Sequence, residues 1–369
     1  MDRSVTTVMV LADPQFNTPA RRPHQATATT RRHRYNRRQL IPTRTPPAPH
    51  PGTPPMPRTP SLRHLTRQAA RFALANIFAT LFATAAIADA AETLWVATPL
   101  TQPGEFTDGI EGPACDPQGN VFAVNYRKQG TIGRVTPEGQ GEVFVELPKG
   151  SIGNGIRFNA AGNFLVADYT AHQILEVNPA TRKVNVLAHN PAMNQPNDIA
   201  IADDGTLYAS DPNWQASTGQ LWRIDADGTT TLLAHGLGTT NGIDLSPDGK
   251  TLYVNESVQR NVWAFPITAE KKLGDKRLIR RFEDHGFDGM RVDVDGNLYI
   301  TRHGKGTVVK MSPDGEILKE IDVLGPNPTN LCFGGPDGRT VYVTEVEKTR
   351  LVAFRVDRPG KSWKQWDKN

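Results

Sequence analysis

Six copies of one short pattern recur along the chain from residue 111 onward, and this repetition limits the possible folds more than any other feature. Each copy begins with a polar residue, continues as a stretch of alternating apolar residues, and reaches a glycine eight positions later. The six polar residues, which we call the anchors, are Glu111, Asn154, Asn197, Asn241, Asp288 and Asn330. Successive anchors lie 42 to 47 residues apart, a period that indicates a repeat architecture.

The residues inside each repeat indicate β-strands. Alternation such as Ile199-Ala200-Ile201 is typical of a strand with one buried face, and the Asp-Gly turns that follow are typical of hairpins. A second strand rich in aromatic and β-branched residues comes next, as in TLYVN and NLYIT, and two weaker strands complete the unit. Four strands per repeat match a propeller blade. We therefore predict an all-β fold, a six-bladed β-propeller with four antiparallel strands per blade.

The two ends of the propeller are expected to meet. The segment Leu94–Ala97 is strand-like and precedes the first anchor. We predict that it pairs beside Leu351–Phe354 and completes the last blade, which leaves no free strand edge. The catalytic propeller domain would then span residues 91–369.

The first 90 residues differ in composition from the rest. Residues 1–55 are rich in arginine and proline, which predicts a disordered leader or an upstream start assignment. Residues 56–90 predict a signal peptide, because arginines precede an uncharged apolar run at 72–88 and a small-residue cleavage pattern follows it, with cleavage between Ala90 and Ala91. The alternative is a retained membrane anchor, for which this run is short. The signal peptide predicts a periplasmic or secreted protein without a stable membrane span.

The charge balance and the cysteine content limit the classes of function that the chain can have. Of 42 basic and 38 acidic residues, 13 arginines but only three acids precede residue 91. The remainder therefore holds 29 basic and 35 acidic residues, an acidic balance that argues against nucleic acid as a partner. Cys115 and Cys332 occupy core positions of strands. We expect a free pair, with a bridge between neighbouring blades as the alternative.

The six anchors are the candidate metal-binding residues. The first strand of each blade lines the central channel, so all six anchors converge near the axis with two carboxylates and four amides. Buried carboxylates need a positive partner, and an all-oxygen set is typical of Ca²⁺, with Mg²⁺ or Mn²⁺ possible. Zinc prefers nitrogen or sulfur ligands, although carboxylate-bound zinc is not excluded. The alternative is that the anchors only cap strand starts, which does not account for the long side chain of Glu111.

The second strand of each hairpin returns to the anchor end. Its terminal residues are polar in every repeat, and they are Asn125, Asp168, Asp211, Glu256, Arg302 and Glu345. His303 follows Arg302, and the loop Pro212-Asn213-Trp214 follows Asp211. We predict that together they form a polar pocket around the mouth of the channel.

Five stretches of the sequence resemble one enzyme family. They are EGPACD, QPNDIAIADDGTLYASDP, TNGIDLSPDGKTLYVNES, FDGMRVDVDGNLYI and TNLCFGGPDGRTVYVTE. In this order they are similar to the SMP-30/gluconolactonase/LRE-like propeller enzymes, metal-dependent lactonases. The resemblance implies one divalent metal held by Glu111, Asn197, Asn241 and Asp288, and hydrolysis of a lactone or related ester.

The same resemblance suggests roles for the neighbouring residues. Asp288 is the expected general base, and His303 is a second candidate for proton transfer. The candidate substrate-binding residues are Asn154, Asn330, Asp211, Arg302 and Gln195. Gln195 stands where some sugar-lactone members carry a substrate-contacting arginine. The alternatives are a non-catalytic NHL- or WD-like binding propeller, or a phosphotriesterase-like or strictosidine-synthase-like enzyme on the same fold.

Overall fold

The computed structural model describes residues 93–366 of the 369-residue chain. Within this range the protein consists of six four-stranded antiparallel sheets, as predicted. The predicted leader and signal peptide lie outside the described residues. In the described part of the chain, no helix has the length and apolar character required to cross a membrane.

Each blade takes its strands consecutively from the chain. The first twelve strands are β1 (Thr98–Pro99), β2 (Phe106–Cys115), β3 (Val121–Tyr126), β4 (Thr131–Val135), β5 (Gly141–Glu146), β6 (Gly153–Phe158), β7 (Phe164–Asp168), β8 (Gln173–Val177), β9 (Val184–His189), β10 (Ile199–Ile201), β11 (Leu207–Asn213) and β12 (Thr218–Ile224). The other twelve are β13 (Thr230–Leu237), β14 (Thr240–Leu245), β15 (Thr251–Glu256), β16 (Asn261–Pro266), β17 (Arg277–Arg281), β18 (Met290–Val292), β19 (Leu298–Arg302), β20 (Thr307–Met311), β21 (Ile317–Asp322), β22 (Pro328–Gly334), β23 (Thr340–Glu345) and β24 (Arg350–Arg355).

Blades 1 to 5 are β2–β5, β6–β9, β10–β13, β14–β17 and β18–β21, and blade 6 has the order β22-β23-β24-β1. The N-terminal strand therefore closes the ring, as predicted, but the paired residues differ. Thr98 and Pro99 pair with Ala353 and Val352, whereas Leu94 makes only an isolated bridge. The reason is Trp95, whose φ of 68° interrupts an extended strand.

The core lies between the blades. Buried apolar residues form six clusters, and each cluster joins two neighbouring blades of the described chain. Cys115 and Cys332 belong to the cluster between blades 6 and 1. Both are buried and unbonded, so the predicted free pair is confirmed. Burial raises the pKa of both thiols, which keeps them neutral and suits their place in an apolar cluster.

The chain beyond β24 crosses the hairpin-turn end of the propeller. We call residues 357–366 the C-terminal strap; they include a 3₁₀ helix, Lys361–Gln365. Asp357 of the strap contacts Lys310 of blade 5, and Gly360 donates to Gly338 in the β22–β23 turn. Lys361 reaches a carboxylate of blade 4. The strap therefore lies across the turn end of the propeller.

Candidate metal centre

Strand pairing is irregular or absent at every anchor. Register shifts in β2, β6, β14 and β22 fall at the anchor positions of those strands. β10 and β18 begin two residues after their anchors, Asn197 and Asp288. Such irregularities re-aim side chains out of the regular pleat, and here they release the anchors from the sheet.

Glycine follows four of the six anchors and brings neighbouring blades together. A Cβ at Gly112 would lie 1.9 Å from the carbonyl oxygen of Asn154, and one at Gly242 would lie 2.6 Å from that of Asp288. The absence of a side chain therefore lets each blade touch the anchor of the next. Backbone hydrogen bonds complete the contact, as in Gly155 N–H to Asn197 O at 2.8 Å and Gly242 N–H to Asp288 O at 3.1 Å.

The two anchor carboxylates meet at the axis. Glu111 is 8% exposed and accepts a hydrogen bond from the Gly112 N–H. Burial and the charge of Asp198 raise the pKa of Glu111 to about 7, against the smaller opposing effects of Gly112, Asn330 and Asp288. Burial and Glu111 raise the pKa of Asp288 well above its usual value, and Asn241 opposes this. None of the groups named as lowering either pKa is basic, so among residues 93–366 the pair shows no cationic partner.

Three of the four anchor amides present unpaired oxygens. The Oδ1 atoms of Asn154, Asn197 and Asn241 are buried and accept no hydrogen bond. Each unpaired buried acceptor costs about 1–3 kcal/mol. Asn330 differs, because its Oδ1 accepts from its neighbour Leu331 at 2.8 Å and its Nδ2 lies 3.5 Å from Asp198. The strand-capping alternative therefore fits Asn330 but does not fit the other three amides.

A charged layer lies next to the anchors on the turn side. Asp198 is fully buried and binds Arg157 at 3.1 Å and Arg291 at 2.8 Å. Asp244 binds Lys361 of the strap at 3.0 Å. Burial tends to raise the pKa of Asp244, but Lys361, Arg157 and Arg291 outweigh it and lower that pKa. These basic groups are engaged by Asp198 and Asp244 and do not neutralise the anchor carboxylates.

This charged layer was missed in the sequence analysis. Arg157, Asp244 and Arg291 each stand three positions after an anchor, and Asp198 stands one position after Asn197. A signal was present, because charges inside otherwise apolar strands are unusual unless they are paired. The partners lie on different blades, so no local spacing reveals the pairs.

The terminal residues of the second strands form hydrogen bonds within the protein. Asp211 is fully buried and accepts from the backbone N–H groups of Asn194 and Gln195 and from the side chains of Gln220 and Trp222. It therefore fastens the loop that leads into the anchor Asn197. Contact between Asp211 and a substrate stays a prediction. In the structure both carboxylate oxygens of Asp211 accept hydrogen bonds from protein groups.

Arg302 is similarly engaged. It is 1% exposed, donates to the backbone and carboxylate oxygens of Asp284 at 2.7 and 2.8 Å, and lies over the Phe282 ring at 4.2 Å. These contacts hold the loop before Asp288. Its predicted role in substrate binding also stays a prediction. His303 follows it half-buried, and burial lowers the pKa of its imidazole, so this side chain is neutral at pH 7.

Tyr169, which directly follows β7, is half-buried. Burial raises the pKa of Tyr169 to about 12, and Gln195 and Trp214 oppose this increase. Asp288 is near enough to influence the pKa of Tyr169. The sequence analysis named Gln195 and the Trp214 loop but missed Tyr169, because only the tertiary fold brings blades 2 and 3 together here.

The donor set fits a hard divalent cation. Two carboxylates without a basic partner and three unpaired amide oxygens converge, and oxygen ligands of this kind are those that Ca²⁺ prefers. Within residues 93–366 no group of three His, Cys, Asp or Glu side chains is placed to bind a metal. This is consistent with a site that depends on amides. The fold and the site thus define a six-bladed propeller whose axis carries oxygen atoms that fit a cation.

Comparison with known proteins identifies the family. Residues 110–347 match the SMP-30/gluconolactonase/LRE-like region, and the chain belongs to this family. The gluconolactonase of Zymomonas mobilis is 26% identical over 297 residues, 70% of this chain and 83% of that protein. The 6-deoxy-6-sulfogluconolactonase of Pseudomonas putida is 28% identical over 239 residues, 62% and 80% of the two chains.

A solved structure has the same fold. The calcium-binding protein regucalcin from Agrobacterium tumefaciens superimposes with a TM-score of 0.63 at 22% identity, and the match covers 72% of this chain and 95% of that one. At this identity the similarity establishes the fold alone.

Proposed function

We propose that the protein is a metal-dependent hydrolase of the gluconolactonase type, which opens a sugar lactone or related lactone. The observation that carries this proposal is the set of three buried, unpaired amide oxygens beside two carboxylates. A purely structural axis, as in a binding propeller, would be expected to satisfy these atoms within the protein. The substrate class follows from the lactonases to which the chain is similar.

We further propose that the cation is Ca²⁺ and that Glu111, Asn197, Asn241 and Asp288 hold it. Asn154 offers a further oxygen, since its Oδ1 is also unpaired. When bound, a divalent cation supplies electrophilic activation of a carbonyl and lowers the pKa of water. The regucalcin similarity supports calcium in particular, because that protein is described as calcium-binding.

Residues of the protein would hold the charge at the axis and transfer the proton. Glu111 is fixed by the Gly112 N–H and is the more deeply buried carboxylate, so it serves to hold charge at the axis. Asp288 is the more exposed of the two, and its carboxylate accepts the proton from the attacking water as general base. Neutral His303 at the same end of blade 5 is the second candidate for moving a proton.

Substitution of the carboxylates tests the proposal. Glu111→Gln and Asp288→Asn should each abolish calcium binding, measured by isothermal titration calorimetry. Both should also lower lactone hydrolysis at least a hundredfold, as expected when a positioned general base or an electrostatic partner is lost. Asp314→Asn, an exposed turn position of blade 5, is the matched control and should leave both measurements unchanged. Full hydrolysis by both variants after EDTA treatment would contradict the proposal.

We also propose export to the periplasm or the medium, on the basis of the apolar run at 72–88 and the small residues that follow it. N-terminal sequencing of the protein isolated from a producing cell should begin at Ala91. A mature chain that retains residues 72–88 would contradict cleavage.

A further inference from the structure

A serine hydroxyl at the end of a blade 4 strand holds the side chain of the anchor Asn241. Ser257 directly follows β15, and its Oγ accepts a hydrogen bond from the Asn241 Nδ2 at 3.1 Å. Both residues are buried, since Ser257 is 7% and Asn241 1% exposed. Water therefore competes little for this bond, which restrains the amide more than a bond at the surface would.

Ser257 itself has a fixed position next to the anchor strand. Its backbone N–H donates to the carbonyl of Thr239 at 2.9 Å, and Thr239 lies just before β14, the strand that carries Asn241. β14 and β15 are paired neighbours in the sheet. Strand pairing therefore sets the distance between the hydroxyl and the amide.

The main chain around Asn241 is held separately, by Asn255. This fully buried residue of β15 accepts from the Gly242 N–H at 3.1 Å and donates to the Asp288 carbonyl at 2.8 Å. With the backbone held in this way, the torsion of the terminal amide, which is intrinsically broad, is the least restrained part of Asn241. The bond to Ser257 restrains that torsion.

The same bond determines which end of the amide is left for a ligand. An amide has donor hydrogens on its nitrogen and an acceptor oxygen. In Asn241 the nitrogen donates to Ser257, and the buried Oδ1 accepts no hydrogen bond from the described residues. Asn330 has the opposite arrangement, because its Oδ1 accepts from Leu331 on its own strand at 2.8 Å. Since hard cations bind oxygen, Asn241 is oriented for such a ligand and Asn330 is not.

We propose that Ser257 is a positioning residue of the axial cation site, which holds the Asn241 Nδ2 so that the Oδ1 faces the axis before a cation binds. This inference rests on the proposed cation site and adds a residue outside its set of ligands. Without the hydroxyl, the amide would sample other orientations, and the cation would have to order it on binding. Such ordering lowers affinity.

Calcium titration of Ser257→Ala tests this inference. Loss of a residue that orients a metal ligand typically weakens binding about 10–100-fold, and the dissociation constant from isothermal titration calorimetry should rise about tenfold. Ser257→Thr keeps the hydroxyl and should bind calcium much as the wild type does. Ser257→Val, which has the shape of threonine without the hydroxyl, should bind as weakly as Ser257→Ala.

The calcium dependence of lactone hydrolysis gives a second readout. In Ser257→Ala, the calcium concentration for half-maximal rate should rise by the same factor as the dissociation constant. The maximal rate in saturating calcium should be retained, because the bound cation then orients the Asn241 oxygen itself. A merely structural role would not separate these two quantities.

Ser246→Ala is the matched control. Ser246 also belongs to blade 4 and is also 7% exposed, but it lies at the hairpin turn, where its Oγ donates to Asp248 at 2.6 Å and accepts from the Thr251 N–H at 3.0 Å. Its substitution should lower the melting temperature in EDTA without changing calcium affinity.

Two results would overturn the inference while leaving the cation site intact. One is wild-type calcium affinity in a folded Ser257→Ala protein. The other is an equal loss of affinity in Ser246→Ala, since the effect would then be one of general stability. If the wild type binds no calcium, the proposed cation site fails, and this inference fails with it.

Discussion

At the scale of residues, the central feature is a pair of carboxylates that no basic residue of the described chain is seen to neutralise. Burial raises the pKa of both; the charge of Asp198 adds to this effect at Glu111, and the charge of Glu111 adds to it at Asp288. Arg157 and Arg291 are engaged by Asp198. Without a cation, the folded protein therefore relieves the repulsion by keeping protons on the pair.

This arrangement predicts an unusual pH dependence of stability for the metal-free protein. The pKa of Glu111 is 4.5 when unperturbed and about 7 in the fold, so between these values the folded state holds a proton that the unfolded state has lost. Stability is therefore highest below pH 4.5, falls as pH rises to about 7, and is constant above it as far as this group is concerned. The loss should be on the order of 3 kcal/mol.

Urea unfolding in EDTA, at pH values from 4.5 to 8, measures this effect as the difference between wild type and Glu111→Gln. The variant should show a flatter profile, because glutamine does not titrate. Saturating Ca²⁺ should remove the loss in the wild type. Parallel profiles for the two proteins would contradict the assignment.

At the scale of elements, β14 shows how a first strand combines regular pairing with an irregular point. Its register shift falls at the anchor Asn241, and Gly242 after the anchor admits the next blade. Further out, buried strand ends such as Asp211 fasten the loops that lead into the anchors. The site is therefore held from both sides by hydrogen bonds that involve no ligand.

The glycine contact gives a prediction for Gly242→Ala. The new Cβ would meet the Asp288 carbonyl oxygen and the Asn255 side chain, each at 2.6 Å, so the backbone of Asp288 must move. Overpacking of this kind costs about 1–3 kcal/mol, and calcium affinity should fall along with stability. Gly274→Ala, on the same blade with its nearest contact at 3.6 Å, is the control and should change neither. Calcium titration and urea unfolding of both variants distinguish the two cases.

At the scale of the whole molecule, both chain ends complete the channel. β1 closes blade 6, and nearby residues extend the contact, since Leu100 donates to Leu351 at 2.9 Å and Thr101 accepts from Leu351 at 3.0 Å. At the other end of the chain, the strap covers the turn side and places Lys361 on Asp244.

Ring closure predicts that the thermal stability of the fold depends strongly on the N-terminal segment. A chain that begins at Gln102 lacks β1 and leaves β24 as an exposed edge beside an opened core. Its thermal transition, followed by circular dichroism, should become broad or fall by more than about 10 °C. A chain that begins at Ala91 is the control and should melt cooperatively. A sharp, unshifted transition in the shorter chain would show that closure contributes little.

The repeat made the fold predictable, because a fixed offset between a polar residue and a turn glycine marks every blade in the same way. The anchors were predictable for the same reason. The exact residues of the closing strand were not predictable, because the positive φ of Trp95 has no signature in the amino-acid composition. The strand-end residues were expected to face a pocket, but the loops that they bind are fixed only after the hairpins pack together.

The sequence by itself determined the number of blades, the strand pattern and the six axial residues, because these follow from local alternation and a constant spacing. Only the tertiary structure decided which of the six keep free oxygens and which charges pair beneath them. The physical reason is that these properties depend on contacts between blades more than 40 residues apart, such as that of Arg291 with Asp198 across 93 positions. Such contacts form only when the ring closes.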